Sequence, residues 1–336
     1  MKPSTAISEI SKLLSNFKPV LLSGPPAIGK TSIIKQIGEK LNRKVIISHP
    51  VVSDPTDYKG MPFIINGEAK FMPFNDLKIL IDTQEPIIFL LDDLGHAPHS
   101  VQAAAMQLLL ERRINGYHVS DLVTFVAATN RRKDKAGVNS IIEPLKSRFC
   151  TIIEIEADLD DWVKWATEHD IVEEVIYFIK WMPEFLCDFQ PTSELTNSSM
   201  PRTLEHLSDA FKCGISPEAE LQIFSGTVGE QAATSFIGFL EIWRSLTKRF
   251  IIHQIISNPM GVEIPGEDET SVKYAICGKL SQLCDKNNFD SIIKYSKRLG
   301  AEYSVMVAKN CVTKDPSLKE TETFVTWAIN NQDMLI

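Results

Sequence analysis

The sequence lacks three features that would place it in a specialised class of protein. No apolar run reaches the ~18 residues that span a bilayer, so no membrane span is predicted. None of its six cysteines forms a CxxC pair, and a chain of 336 residues can bury a core without disulfides, so reduced thiols and a cytoplasmic location are expected. Acidic residues outnumber basic ones by 43 to 35, which argues against a dedicated nucleic-acid binder.

What is present is an ordinary globular composition, with 44% hydrophobic residues and enough length for two domains. The N-terminal stretch MKPSTAISEISKLLSNF has apolar residues at helical spacing and does not predict a secretory signal. Further along, five short apolar runs alternate with helical patterns, which predicts an α/β fold with a parallel five-stranded sheet between helices. The apolar runs are Val20–Leu22, Val45–Ser48, Ile87–Leu91, Leu122–Ala127 and Ile152–Ile155, and the helical patterns are Thr31–Leu41 and Ser100–Arg113.

After about residue 157 the strand signal stops and helical patterns follow one another. Asp158 is a good N-cap candidate, because acidic Asp160 and Asp161 lie in the first turn of the helix that would follow it. The stretch at 261–269 is the most loop-like interruption. The helical patterns are Leu159–Thr167, Val172–Trp181, Pro201–Lys212, Gly229–Phe250, Val272–Lys286, Phe289–Cys311 and Leu318–Asn330.

The segment GPPAIGKT, residues 24–31, matches GxxxxGK[ST] between a predicted strand and a predicted helix. Its glycines let backbone N–H groups point at phosphate oxygens, and the helix adds its N-terminal dipole. Lys30 can reach the β- and γ-phosphates, and Thr31 can ligate magnesium. The predicted ATP-binding residues are Gly24, Pro25, Pro26, Ala27, Ile28, Gly29, Lys30, Thr31 and Ser32. The alternative is a plain strand-to-helix turn.

Hydrolysis also needs a held metal and an activated water. The run IIFLLDD ends a buried strand with two carboxylates, so Asp92 is predicted to hold Mg²⁺ and Asp93 to polarise the attacking water. An acidic turn is the alternative. His96 and His99 follow at HxxH spacing, where a helix start with Pro98 in its first turn is favoured over a metal site.

Three more polar residues complete the candidate site. Asn130 ends the next strand in VAATN, where its amide can orient the water; a turn asparagine is the alternative. Arg148 precedes the fifth strand and could reach a neighbouring subunit's γ-phosphate. Arg202 begins a helix, where a cation is unfavourable for the dipole unless a phosphate is present. An ordinary surface arginine is the alternative for both.

Together these motifs resemble the AAA+ ATPases over nearly the whole chain. The resemblance identifies Lys30 and Thr31 with Walker A, Asp92 and Asp93 with Walker B, and Asn130 with sensor 1. It likewise identifies Arg148 with the arginine finger and Arg202 with sensor 2. The family usually has Asp-Glu in Walker B, so the shorter Asp93 puts normal hydrolysis in question. The resemblance implies a P-loop core at 1–157, a helical lid at 158–260 and a helical extension at 261–336, assembled into a hexameric ring.

Two Asn-Gly dipeptides narrow the resemblance. Asn66-Gly67 and Asn115-Gly116 each predict a β-hairpin with a type I′ turn, the first within an insert near 58–74. Hairpins in these places, with DPTDYKG and GTVGEQAATSFIGFL, resemble the MoxR-like proteins of the helix-2-insert branch. In that family the loops line a pore and the ring remodels a protein partner, often one with a von Willebrand factor A domain. Two ordinary surface hairpins are the alternative.

Two rival functions stay open. A nucleic-acid motor or loader would use the basic run at 131–135 with Arg112 and Arg113, although a solvated or subunit-contact loop is favoured for that run. A scaffold that binds ATP, assembles and scarcely hydrolyses would suit the short Asp93.

Overall fold

The computed structural model describes residues 1–134, 141–192, 195–248 and 251–331. The chain divides into two compact units, the first formed mainly by Met1–Asp161 and the second mainly by Trp162–Asp188 with the chain beyond residue 194. Within the described residues, no helix has the length and apolarity to cross a membrane.

All strands among the described residues lie in the first unit. They are β1 (Val20–Gly24), β2 (Lys44–Ser48), β3 (Met61–Ile65), β4 (Glu68–Met72), β5 (Ile87–Leu91), β6 (Arg113–Ile114), β7 (Tyr117–His118), β8 (Val123–Asn130) and β9 (Thr151–Glu154). Helices of this unit are α1 (Pro3–Ser15), α2 (Lys30–Lys40), α3 (Pro55–Lys59), α4 (Asn75–Asp82), α5 (His99–Glu111) and α6 (Glu143–Lys146), and α7 (Leu159–Glu168) begins here.

A parallel five-stranded sheet organises this unit, in the order β2-β5-β8-β1-β9. Every residue of β5 is buried, as are the first seven of β8, which is why these strands read as continuous apolar runs. The predicted α/β fold with five parallel strands is confirmed. Because all five strands run the same way, the residues that follow them meet along one edge of the sheet.

The core beside this edge packs α5 against β5 and β8. Phe89 and Phe125 meet edge to face with ring centroids 6.0 Å apart, and Ala104 and Leu108 of α5 belong to the same buried cluster. These contacts fix the ends of the two central strands, which carry Asp92 and Asn130.

Both predicted hairpins are present. β3 and β4 pair antiparallel around Asn66-Gly67, and β6 and β7 around Asn115-Gly116. The φ angles of 53° and 80° in the first turn, and of 44° and 96° in the second, are positive at both central residues, as a type I′ turn requires.

The described part of the second unit consists of helices and connecting loops, with one isolated antiparallel bridge between Asp188 and Ser199. Its helices are α8 (Glu173–Trp181), α9 (Pro201–Lys212), α10 (Pro217–Val228), α11 (Glu230–Lys248), α12 (Ile251–Ser257), α13 (Thr270–Gln282), α14 (Phe289–Leu299), α15 (Ala301–Lys314) and α16 (Glu322–Asn330). The ring of Phe178 lies at its centre, 5.7 Å from Phe185, 5.3 Å from Phe236 and 6.2 Å from Phe239.

Several helix boundaries differ from the sequence expectation. The single helix predicted over Phe289–Cys311 is wrong, because Gly300 has φ 135° and separates α14 from α15. Helix α10 was not predicted at all. Phe250, the predicted end of the Gly229–Phe250 pattern, lies outside the described residues. The N-cap prediction is confirmed, since the Asp161 N–H donates to Oδ1 of Asp158 at 3.0 Å.

Candidate active site

The loop between β1 and α2 turns sharply around residues 25–29. Gly29 has φ 98° and Ala27 has φ 58°, a left-handed conformation that costs a non-glycine residue roughly 1–2 kcal/mol. Helix α2 then begins at Lys30 with no side chain capping its first turn. The N–H groups at such a helix start need an external acceptor. A polyphosphate fits this uncapped turn.

The packing around the loop fixes its start and leaves its end accessible. A Cβ on Gly24 would lie 3.0 Å from the carbonyl oxygen of Ile155, so a side chain has little room there. Ile28 is buried and anchors the middle of the loop, whereas Ser32 is exposed. The buried side chain of Ile28 therefore holds the loop in place.

The ammonium group of Lys30 is held by three oxygens. Its Nζ donates to the Gly24 carbonyl at 3.2 Å, to the Pro25 carbonyl at 2.9 Å and to Oδ1 of Asn130 at 2.6 Å. The side chain is 7% exposed, and such a buried cation needs these acceptors. Asn130 reaches it because Gly24 and Asn130 are register partners of β1 and β8.

Thr31 and Asp92 form the second contact of the site. Oγ1 of Thr31 donates to Oδ2 of Asp92 at 2.6 Å, while Oδ1 of Asp92 accepts from the Asp93 N–H at 3.1 Å. Asp92 is 8% exposed. A hydroxyl and a carboxylate are hard oxygen ligands of the kind Mg²⁺ takes beside nucleotide phosphates. The donor set therefore fits the expected ion.

Asp93 lies beside Asp92 with a half-exposed side chain and φ 53°. A short 3-10 turn, Leu94–His96, follows it. Nδ1 of His96 is 3.7 Å from Oδ1 of Asp93, and its Nε2 is 3.5 Å from Nδ2 of Asn130. His96 was not among the predicted site residues. Its position four residues after Asp92 is the signal in the sequence that could have indicated it. A helix does start here, but Pro98, with ψ 149°, is its N-cap and not part of its first turn, which begins at His99.

The two predicted arginines are differently placed. Arg148 follows α6 and is half-buried; its Nη1 donates to Oγ of Ser147 at 2.8 Å. No carboxylate lies within ion-pair distance of it among the described residues. Arg202 is exposed in the first turn of α9, in the second unit. Their roles toward a nucleotide stay predictions.

The basic run at 131–135 is largely paired internally. Arg131 donates to both carboxylate oxygens of Asp134 and to Glu154, and Lys133 also contacts Glu154 at 3.1 Å. These hydrogen bonds lower the pKa of Glu154 and raise that of Arg131. Lys135 lies outside the described residues. These contacts therefore connect the segment that follows β8 to Glu154 at the end of β9.

Comparison with known proteins bears directly on this site. Residues 20–157 match the sequence model of the ATPase family associated with various cellular activities (AAA). The matched segment contains β1, the Lys30 loop, Asp92 and Asn130. Residues 20–157 are an AAA+ ATPase domain. The description of this family names ATPases, so the match supports ATP hydrolysis as the general kind of reaction.

Individual proteins match this chain at low sequence identity. This chain is 27% identical over 142 residues to the uncharacterized protein ycf45 of Cyanidium caldarium. The match covers 39% of this chain and 42% of the ycf45 protein, so the chain spans less than half of this relative's length. The RuvB Holliday junction branch migration motor of Thermotoga maritima aligns with TM-score 0.42 and 15% identity, over 91% of this chain and 86% of that one. NtrX of Brucella abortus aligns with TM-score 0.41 and 12% identity, over 94% of this chain and 63% of that one.

Proposed function

We propose that this protein is a MoxR-like AAA+ ATPase that hydrolyses ATP with Mg²⁺ in a ring and uses the energy to remodel a protein partner in the cytoplasm. One observation carries the proposal. Lys30 contacts Asn130 across 100 positions of the chain and Thr31 contacts Asp92 across 61, both at the carboxyl edge of one parallel sheet. This is the place where open α/β sheets bind their ligands.

Each residue has a role that its position supports. Lys30 binds the β- and γ-phosphates once its ammonium leaves Asn130. Thr31 and Asp92 would hold Mg²⁺, which supplies positive charge beside the phosphates when bound. Asp93, half-exposed next to Asp92, holds the attacking water and accepts its proton. Asn130 orients that water through its amide.

The ring is proposed from Arg148. This arginine lies among the residues after α6 without a carboxylate partner in the described chain, so its charge is available to a phosphate of the next subunit. A hexamer is the proposed state. Residues 158–260 would form a lid that responds to nucleotide through Arg202, and residues 261–336 a helical extension.

A protein partner is favoured by the surface of the first unit. Strand β3 of the β3–β4 hairpin exposes Phe63 by 52% and Ile64 by 82%, which suits an apolar polypeptide segment. Two of the cations that a nucleic acid would need are engaged elsewhere, since Arg131 is paired with Asp134 and Arg112 donates to the Ser120 and Val123 carbonyls. A von Willebrand factor A-domain protein is the first class of client to test.

The deciding experiment is steady-state ATPase activity as a function of protein concentration, with sizing in ATP and in ADP. Turnover that rises cooperatively as an ATP-dependent ring forms supports the proposal. Assembly in ATP without turnover, with a protein client present, would instead favour a nucleotide-gated scaffold, for which the short Asp93 is the structural reason.

A further inference from the structure

His96 occupies the space between two residues of the proposed site. Its ring is only 16% exposed, and the buried residues Leu94 and Gly95 precede it in the short 3-10 turn. Nδ1 faces the Asp93 carboxylate at 3.7 Å, and Nε2 faces the Asn130 amide nitrogen at 3.5 Å. The two ring nitrogens are thus directed at two different site residues.

The donor and acceptor atoms of this network can be assigned one after another, starting from Lys30. The Lys30 ammonium can only donate, so the Asn130 atom 2.6 Å from it is the amide oxygen. The Asn130 amide nitrogen therefore faces His96 and donates, which makes Nε2 of His96 the acceptor. In the neutral ring the proton then sits on Nδ1, toward Asp93, where it meets a carboxylate.

We propose that His96 is a positioning residue for ATP hydrolysis. It links the Asp93 carboxylate to the Asn130 amide, and through Asn130 to the lysine that binds phosphate. When Lys30 turns from Asn130 to a phosphate, the freed amide oxygen of Asn130 is available to the water, while His96 keeps the amide plane and Asp93 in place. This inference rests on the proposed ATPase function.

His96 matters for this site because the side chain of Asp93 is short. A carboxylate on a side chain one methylene shorter than glutamate reaches less far from the end of β5, so its direction has to be fixed by a neighbour. The contacts of 3.5 and 3.7 Å are long for hydrogen bonds. Contacts of this kind in ligand-free sites shorten in the substrate complex.

The test compares His96→Ala with His99→Ala in the full-length chain. His99 is exposed three residues away, so its variant controls for changes near the start of α5. We expect His96→Ala to lower kcat by roughly 10- to 100-fold, because small displacements of catalytic groups cost that much. KM and ATP affinity should stay within about two-fold, and added imidazole should restore a large part of kcat, as a loss of packing alone would not allow. His99→Ala should match the wild type.

A kcat for His96→Ala within two-fold of the wild type overturns the inference, as does a loss of kcat that imidazole leaves unchanged. If His96→Ala does not fold, His96→Leu is combined with Asp93→Asn in a double-mutant cycle. Non-additive effects on kcat support a linked pair, and additive effects refute it. No turnover in the wild-type ring removes the proposed function and this inference with it, whereas normal wild-type turnover with an unaffected His96→Ala removes this inference alone.

Discussion

The hydroxyl of Thr31 donates to the carboxylate of Asp92 at 2.6 Å although 61 positions separate the two residues in the chain. They follow β1 and β5, which are not neighbours, since β8 lies between them in the sheet. The start of α2 therefore reaches across the end of β8, and the residue that ends β8, Asn130, is enclosed between the other two. The Thr31–Asp92 contact thus places one residue of the site on each side of Asn130.

Replacing Lys30 with alanine should weaken ATP binding by roughly 100-fold or more. A hydrogen bond to a charged group contributes about 1.5–3 kcal/mol, and Lys30 can reach two phosphates. Calorimetric titration with ATP measures this, with the exposed Lys35→Ala on the same helix as the control. Unchanged affinity in Lys30→Ala would refute the phosphate-binding assignment.

Replacing Asp93 with asparagine should leave ATP bound but unhydrolysed. The amide keeps the size of the side chain and cannot accept a proton, so we expect turnover to fall by about 10²–10⁴-fold. Single-turnover and binding measurements separate the two effects. Asp121→Asn, at a carboxylate that is 85% exposed, should behave like the wild type. Full activity in Asp93→Asn would show that another group is the base.

Replacing Arg148 with alanine should lower turnover by about 10³-fold, the range found for arginines that act on a phosphate from a neighbouring subunit. Mixing this variant with Asp93→Asn chains should restore part of the activity, because some interfaces then combine an intact Asp93 with an intact Arg148. Lys146→Ala, two residues away, should need no rescue. Mixtures that stay inactive would count against a shared site.

Much of this architecture could be predicted from the sequence because its signals are local. Val20–Leu22 and Ile87–Leu91 read as buried strands, and Asn66-Gly67 requires a particular turn whatever surrounds it. The network around Asn130 could not be predicted in the same way. Its contacts depend on strand order, which no local pattern encodes, and His96 enters the site only because β5 and β8 are neighbours.

The missed helix boundaries have equally physical reasons. Gly300 stands within an apolar periodicity that continues through α14 and α15, so the pattern concealed the break that its φ of 135° imposes. For α10 a signal was available, since Pro217 follows Ser216, and a serine before a proline is typical of a helix start.

Alanine substitutions at two glycines of the second unit should have opposite effects on the free energy of unfolding. A Cβ on Gly278 would lie 2.4 Å from the Trp243 ring and 2.9 Å from Tyr177, so Gly278→Ala should lower the free energy of unfolding by about 1–3 kcal/mol. Gly238 is exposed within α11 with nothing near its Cβ position, so Gly238→Ala should raise it by about 0.5–1 kcal/mol. Urea denaturation measures both, and equal midpoints would contradict this packing.

Alkaline pH should destabilise the second unit through Tyr295. Its side chain is fully buried, which raises the pKa of the phenol to about 12. The unfolded phenol titrates near 10, so this contribution to stability is complete below about pH 10 and is lost as pH rises toward 12. The free energy of unfolding, measured by denaturant titration, should fall above about pH 10. It should fall less steeply in Tyr295→Phe, and identical slopes would exclude the effect.

The β3–β4 hairpin bears on self-association as well as on a client. A two-stranded ribbon has open edges, and the exposed Phe63 and Ile64 of β3 are the kind of residues through which two such ribbons stack. Lys70 lies directly opposite Phe63 in the pairing. Stacking two ribbons at Phe63 would bring these lysines, each 3.5 Å from the carboxylate of Glu68, into the contact and desolvate both charges. Lys70 would therefore act as a gatekeeper that opposes stacking while leaving Phe63 accessible.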